Sequence, residues 1–250
     1  MIARLLGVPE DRTGDLLAWS NAMVGMYQAG RSRAMEDAAV AATRDFRTYL
    51  EAVIAARRQS PGTDLLSQLI AAEAEGERLN SDELISTVIL LLNAGHEATV
   101  HSFGNGVKAL LEHGGQELLA DPERRAGVIE EILRFDPPLH LFTRYAYENM
   151  TLFGHDFRRG EQVACLLASA NRDSRIWPSP ERFDPTRLVV TNSSFGAGLH
   201  FCIGAPLARL EMSRALPQLF ATCPDLSLAE RPRYADIYHF HGLESLYLRP

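Results

Sequence analysis

The sequence predicts a mainly α-helical fold with a small β region, and three observations predict it. Helical spacing of apolar residues dominates the first three-fifths of the 250-residue chain. Short alternating runs with Gly-containing turns follow in "MTLFGHDFRRGEQVACLLA". A glycine-rich loop then runs straight into one more helical pattern, "SSFGAGLHFCIGAPLARLE". No repeat, low-complexity segment or linker divides the chain, so a single domain over 1–250 is expected.

Each element has its local reason. Met35 to Arg58 places Phe46, Leu50, Val53 and Ile54 on one helical face, and "RQSPGTD" breaks it. Asp64 to Ala74 reads as a short helix, with Gly76 to end it. "NSDE" at 80–83 offers an N-cap and early acidic residues to a helix running to His113, roughly 50 Å at about 1.5 Å per residue. The next helix, Pro122 to Phe135, stops because Pro137 and Pro138 cannot continue it. Two short strands, the turn-rich "RDSRIWPSPERFDPTR", the cysteine loop, a helix from Ala205 to Cys223 and short C-terminal strands complete the order.

Composition excludes several function classes. The net charge of −7 argues against a nucleic-acid binder, whose phosphate contacts need a basic surface. The longest apolar run, Val88 to Leu92, is too short for a membrane span, and the opening "MIARLLGVPEDR" has no secretory pattern. Cys165, Cys202 and Cys223 lack CxxC pairing and zinc-ligand spacing, which fits a reducing, cytoplasmic setting.

Cys202 is the residue that carries chemistry. Glycines at 196, 198 and 204 let the backbone turn sharply around it, and a helix begins just beyond. The N-terminal end of a helix favours a thiolate, the form that ligates metals or attacks electrophiles. On these residues alone, a packed thiol, a nucleophile aided by His200 and a metal ligand all stay open.

The spacing Phe195-Gly196-x-Gly198-x-His200-x-Cys202-x-Gly204 resembles the haem-binding loop of the cytochrome P450 (haem-thiolate monooxygenase) superfamily, bacterial type, at all six fixed positions. "APLARLE" resembles the start of that family's proximal helix. The resemblance implies haem b with Cys202 as its iron ligand, and an electron-rich thiolate suits oxygen activation. It further implies that Phe195 packs beside the sulfur, that His200 points toward a haem propionate, and that Gly196, Gly204, Ala208 and Ala94 border the cofactor.

Other motifs extend the likeness. "EEILRFDPP" contains Glu131-x-x-Arg134, resembling the family's ExxR pair; Glu130 and Arg134 also stand at helical spacing, and the family pattern selects Glu131. "SPERFDPTR" supplies Arg182 as the third partner that the family implies. "FTRYAYENMTLFG" makes Arg144 the candidate for a second propionate contact, which a planar guanidinium can bind bidentately.

The long helix carries "LLLNAGHEATVHSFGNG", resembling the family's helix over the distal haem face. Ala94, Gly95 and Glu97 match, whereas Ala98 stands where the family has its first threonine. That threonine and the preceding acid help deliver protons, and alanine cannot. Thr99, about 100° further around the helix, could substitute only if a π-bulge near Gly95 shifts the register. Ordered water, a substrate hydroxyl or ready-made peroxide are the remaining routes.

The resemblance implies a monooxygenase that inserts one oxygen atom from O2 into a small apolar substrate. Electrons would come from NAD(P)H through a ferredoxin reductase and a ferredoxin, docked near the cysteine loop, Arg209 and Arg214. Met23 to Gln28 and Leu141-Phe142 would line an apolar pocket. The chain is expected to lack the N-terminal part of the family fold, including helices that wall the haem. The alternatives are a catalytically inert remnant serving as an interaction module, and a peroxide-using haem-thiolate enzyme.

Overall fold

The computed structural model describes residues 2–28, 30–74, 79–188, 191–237 and 239–250. Helices dominate, as the apolar spacing requires: α1 (Ile2–Leu6), α2 (Thr13–Val24), α3 (Arg33–Gln59), α4 (Leu65–Ala74), α5 (Ser81–His113), α6 (Pro122–Phe135), the single-turn α7 (Leu167–Ala170) and α8 (Ala205–Thr222). Gly76, expected to end α4, lies outside the described residues. The chain divides within α5 into two compact units, 1–97 and 98–250.

In the first unit, Ser32 caps α3 by accepting the Met35 N–H at 3.3 Å. Ala39, Ala42, Phe46, Leu50 and Ile54 then recur every three or four residues and are buried. Phe46, Leu50 and Ile54 join Leu6, Leu16, Leu66, Leu84 and Val88 in one apolar core. The start of α5 is a reciprocal capping box. Asn80 Oδ1 accepts the Glu83 N–H at 2.9 Å, and Glu83 Oε2 accepts the Asn80 N–H at 2.8 Å.

In the second unit, the end of α5 packs with α6 and α8. Val107, Leu110, Val128, Ile129, Ile132, Met212, Leu216 and Phe220 form its core. Asp121 caps α6 by accepting the Glu123 N–H at 2.9 Å, and Pro122 occupies the first turn, where its missing N–H costs nothing.

The β region differs from the two expected strands. Met150–Leu152 (β2) and His155–Phe157 (β3) form a tight hairpin. The next strand, Gln162–Leu166 (β4), pairs antiparallel with β1 (Leu141–Tyr145), so that Leu141 faces Leu166 and Tyr145 faces Gln162. The partner of β4 precedes the hairpin, a pairing that alternation within one segment cannot reveal. Two small antiparallel pairs close the chain: β5 (Ser227–Leu228) with β8 (Leu248–Arg249), and β6 (Arg233–Tyr234) with β7 (Leu243–Ser245).

An aromatic cluster ties the chain end to the segment after α6. The His140 and His241 rings are 4.3 Å apart, Tyr234 stacks on His241 at 4.4 Å, and the Tyr234 hydroxyl donates to Asp136. Burial, and then the neighbouring His241, hold His140 below the ordinary histidine range. The unfolded chain therefore takes up a proton that folded His140 resists, and stability should fall as pH drops below about 6.5. Thermal melts between pH 7.5 and 5 should show a steeper loss in the wild type than in His140→Gln. Equal slopes would contradict this.

Candidate functional site

Glu131, Arg134, Arg182 and the cysteine loop, all expected from sequence, come together within the second unit around α6 and the turn-rich segment. At the centre lies a buried ion pair. Arg134 Nε donates to Glu131 Oε2 at 2.7 Å and Nη2 to Oε1 at 2.8 Å, with both side chains almost wholly out of water. The remaining guanidinium hydrogens are also used. Nη1 donates to the carbonyls of Asn171 and Pro180, each at 2.9 Å, and Nη2 to the carbonyl of Arg182 at 3.2 Å. Glu131 Oε1 accepts the Asp184 N–H at 2.8 Å. A buried charge pair is tolerable only when paired and fully bonded, and this one is. Its effect is to fasten residues 171 and 180–184 to α6.

Arg182 enters this network differently from the expectation. Its carbonyl accepts from Arg134, while its side chain is exposed. The further guanidinium near Glu131 belongs to Arg187, whose Nε lies 3.4 Å from Oε2 without hydrogen-bond alignment. Arg187 also donates to the carbonyls of Pro178 and Ser179. The turn around Pro180 points the Arg182 carbonyl inward, a backbone role that residue type does not reveal.

Glu130 and Glu131, equivalent by spacing, have separate partners. Glu130 faces α8: its carboxylate accepts from Arg209 Nε, from Arg209 Nη2 at 3.1 Å and from Asn192 Nδ2 at 3.0 Å. Asn192 begins a polar seam absent from the sequence reading. Its Oδ1 accepts the Ser194 N–H at 3.1 Å, and the Ser194 hydroxyl donates to the Leu133 carbonyl at 2.6 Å. Asn171 Nδ2 donates to Ser194 Oγ at 2.8 Å, and its Oδ1 accepts the Ser193 N–H at 2.7 Å. Asn171, Asn192 and Ser194 are all buried. Small polar residues of this kind give no spacing signal in a sequence, yet they anchor the start of the cysteine loop.

The loop itself is a chain of short turns. Gly196 and Gly198 adopt φ of 69° and 66°, values that side-chain-bearing residues rarely accept. The Cys202 N–H returns to the Phe195 carbonyl at 3.0 Å, which closes the loop, and the Phe201 N–H bonds the Gly198 carbonyl at 3.1 Å. Helix α8 starts at Ala205, three residues after Cys202, and the Ala208 N–H bonds the Gly204 carbonyl at 2.9 Å. Phe195 is half-buried against the core and Cys202 is a partly exposed free thiol.

The surface beside Cys202 is apolar and open to solvent. Leu199 is 96% exposed, Ile203 87% and Phe201 47%. Such a patch around one thiol is the kind of surface that a bound apolar group covers. Arg144, on β1, donates only to the neighbouring Thr143 carbonyl and lies over Phe142, and His200 is exposed. Among the described residues neither pairs with a carboxylate. The donor set therefore fits haem: a thiol for iron, apolar flanks for the macrocycle, and two basic side chains for acidic substituents.

Ala94, Glu97, Ala98 and Thr99 lie in the middle of α5. This helix is an unbroken α-helix through Gly95, so no π-bulge shifts its register and Thr99 stays about 100° around the axis from Ala98. A Cβ on Gly95 would stand 2.9 Å from the Ile2 side chain, so close packing of α1 against α5 itself requires glycine there. His96 Nδ1 is 3.7 Å from Glu97 Oε1.

Arg209, suggested for partner docking, is bound to Glu130 and lies over the Phe195 ring at 4.5 Å. Its charge is already engaged, whereas Arg214 is exposed. Among the described residues, no helix is long and apolar enough to cross a membrane.

Comparison with known proteins agrees with this architecture. The profile of the Cytochrome P450 family matches residues 126–225, which include most of α6, the turn-rich segment, the cysteine loop and α8. The chain is 42% identical over 233 residues to a vitamin D(3) 25-hydroxylase of Pseudonocardia autotrophica, covering 92% of this chain and 56% of that protein. It is 37% identical over 252 residues to the polyketide biosynthesis cytochrome P450 PksS of Bacillus subtilis, covering 98% of this chain and 61% of that one. The ligand-free crystal structure of Mycobacterium smegmatis CYP164A2 superposes with a TM-score of 0.92 at 40% identity, over 99% of this chain and 65% of that one. The chain thus spans about three-fifths of the length of the relatives it matches. Along its matched length the chain is thus similar to bacterial members of the Cytochrome P450 family.

Proposed function

We propose that this chain carries the haem-thiolate half of a bacterial monooxygenase acting on a small apolar substrate in the cytosol. The observation that carries the reading is Cys202, a free thiol held by a closed loop at the foot of α8 and flanked by exposed Leu199, Phe201 and Ile203. Haem, when bound, supplies the oxygen chemistry: an iron centre that accepts electrons and O2 and inserts one oxygen atom into a substrate.

The residues of this chain prepare that chemistry. Cys202 is the iron ligand, and the 3.0 Å bond from its N–H to Phe195 fixes where its sulfur sits. Gly196 and Gly204 give the backbone close approach, and Phe195, Ala208 and Ala94 border the macrocycle. Arg144 and His200 pair with its carboxylates. The Glu131–Arg134 pair, with Arg182 and Arg187, keeps the supporting loops at fixed distance from α6. Met23 to Gln28 and Leu141-Phe142 supply apolar contacts for the substrate. A ferredoxin, reduced by NAD(P)H through its reductase, brings electrons, with the exposed Arg214 of α8 as a basic contact.

Glu97, Ala98 and Thr99 set the proton supply. Ala98 has no hydroxyl and unbroken α5 keeps Thr99 off its face, so water or a substrate hydroxyl carries the proton that Glu97 relays. In the longer protein, Ala98→Thr should raise the fraction of consumed oxygen that appears as product. Unchanged coupling would argue against the proton-supply role.

Absorbance titration tests the proposal itself. Haem added to the purified chain should be taken up to saturation at one equivalent, and Cys202→Ala should weaken uptake at least tenfold. Absence of saturable uptake by the wild-type chain would overturn the reading.

A further inference from the structure

We propose that Arg209 is a positioning residue for the cysteine loop: locked to Glu130 on α6 and laid over Phe195, its guanidinium braces the loop and sets a compensated positive charge beside Cys202. The inference rests on the haem-thiolate reading for its electrostatic half, and on the contacts within the chain for its mechanical half.

Four observations lead to it. Arg209 contacts Glu130 through two of its nitrogens, Nε to Oε1 and Nη2 to Oε2 at 3.1 Å, a fork geometry that lysine cannot reproduce. Its guanidinium carbon lies 4.5 Å from the centre of the Phe195 ring, within cation–π range. The Phe195 carbonyl in turn accepts the Cys202 N–H at 3.0 Å, so the aromatic residue that Arg209 covers also holds the ligand residue. Glu130 also holds Asn192 at 3.0 Å, and Asn192 accepts the Ser194 N–H at 3.1 Å, so one carboxylate fastens both the approach to the loop and the helix that follows it.

The position of the charge is informative too. Arg209 stands in the second turn of α8, beyond the first turn over which the helix dipole acts, and the anion that matches its charge is Glu130. Its protonated form is favoured first by the bond to Glu130, against partial burial, and then by the charges of Glu130 and Cys202. Through Phe195, which it covers and whose carbonyl holds the Cys202 N–H, the guanidinium is tied to the loop that carries the sulfur. A positive charge held there withdraws electron density from a thiolate ligand, and Glu130 limits how far.

Opposite charges make the two ends of the brace separable. Arg209→Gln removes the cation and leaves Glu130 uncompensated, so the oxidised iron is favoured and the midpoint potential should fall. Glu130→Gln leaves the cation uncompensated, so the potential should rise. Each variant should shift the oxidised-to-reduced ratio roughly tenfold, about 59 mV for one electron. A loop that merely loosened would move both variants in the same direction.

Hydrogen–deuterium exchange of the haem-free chain reads the mechanical half without cofactor. The amides of Gly196, Phe201 and Cys202 should exchange at least tenfold faster in both variants than in the wild type, with Arg209→Lys between. Unchanged exchange in either glutamine variant, or potentials shifting in the same direction, would overturn the proposal. Failure of the wild-type chain to take up haem would instead strike the haem-thiolate reading, and exchange alone would then decide whether the brace exists.

Discussion

Arg134→Ala should destabilise the chain by about 3–5 kcal/mol, the cost of removing one partner from a buried ion pair. The alanine leaves the Glu131 carboxyl almost wholly buried without its main partner, and strips the carbonyls of Asn171, Pro180 and Arg182 of their shared donor. Urea unfolding should show the loss as a lower midpoint. Arg134→Lys should recover little, because a single ammonium cannot reach two carboxylate oxygens and three carbonyls at once. Glu131→Gln should cost less than Arg134→Ala, since the amide oxygen still accepts one of the bonds. A loss below about 1 kcal/mol for Arg134→Ala would show that the pair is not a structural anchor.

Replacing Cys202 has the largest expected effect on chemistry. Cys202→Ala should abolish any spectral signature of thiolate-bound iron, while far-ultraviolet circular dichroism stays unchanged. The side chain is small and partly exposed, and the loop is closed by its backbone N–H, not by its sulfur. Cys165→Ser and Cys223→Ser should leave that signature intact, because neither lies in the glycine-turned loop. Retention of a thiolate spectrum in Cys202→Ala would assign the ligand elsewhere.

Much of this architecture was legible in the sequence because helical periodicity and caps are local signals. The run from Asn80 to His113 announced α5 through its capping residues, and Pro122 with Pro137 bounded α6. Cys202 stood out because six positions in ten residues jointly specify one backbone path. The partners of these residues were less legible. Glu130 and Glu131 are neighbours on one helix, and only the tertiary fold sends one to Arg209 and the other to Arg134. Arg182 acts through its carbonyl and Arg187 through its side chain, a division set by the turn around Pro180. The Asn171–Asn192–Ser194 seam has no periodicity at all, since its members meet across loops. The pairing of β1 with β4 likewise spans a hairpin.

Gly95 gives a narrower lesson. Its place in an Ala-Gly-x-acid pattern suggests a role near the reaction, but the neighbour that requires glycine in this chain is Ile2. Motif and packing can demand the same residue for different reasons.

Carbon monoxide binding distinguishes Cys202 as a haem-iron ligand from every other assignment of this thiol. The purified chain would be reconstituted with haem, reduced and exposed to carbon monoxide. A strongly red-shifted Soret band, absent from Cys202→Ala, is expected. An unshifted band, identical in wild type and Cys202→Ala, would contradict it.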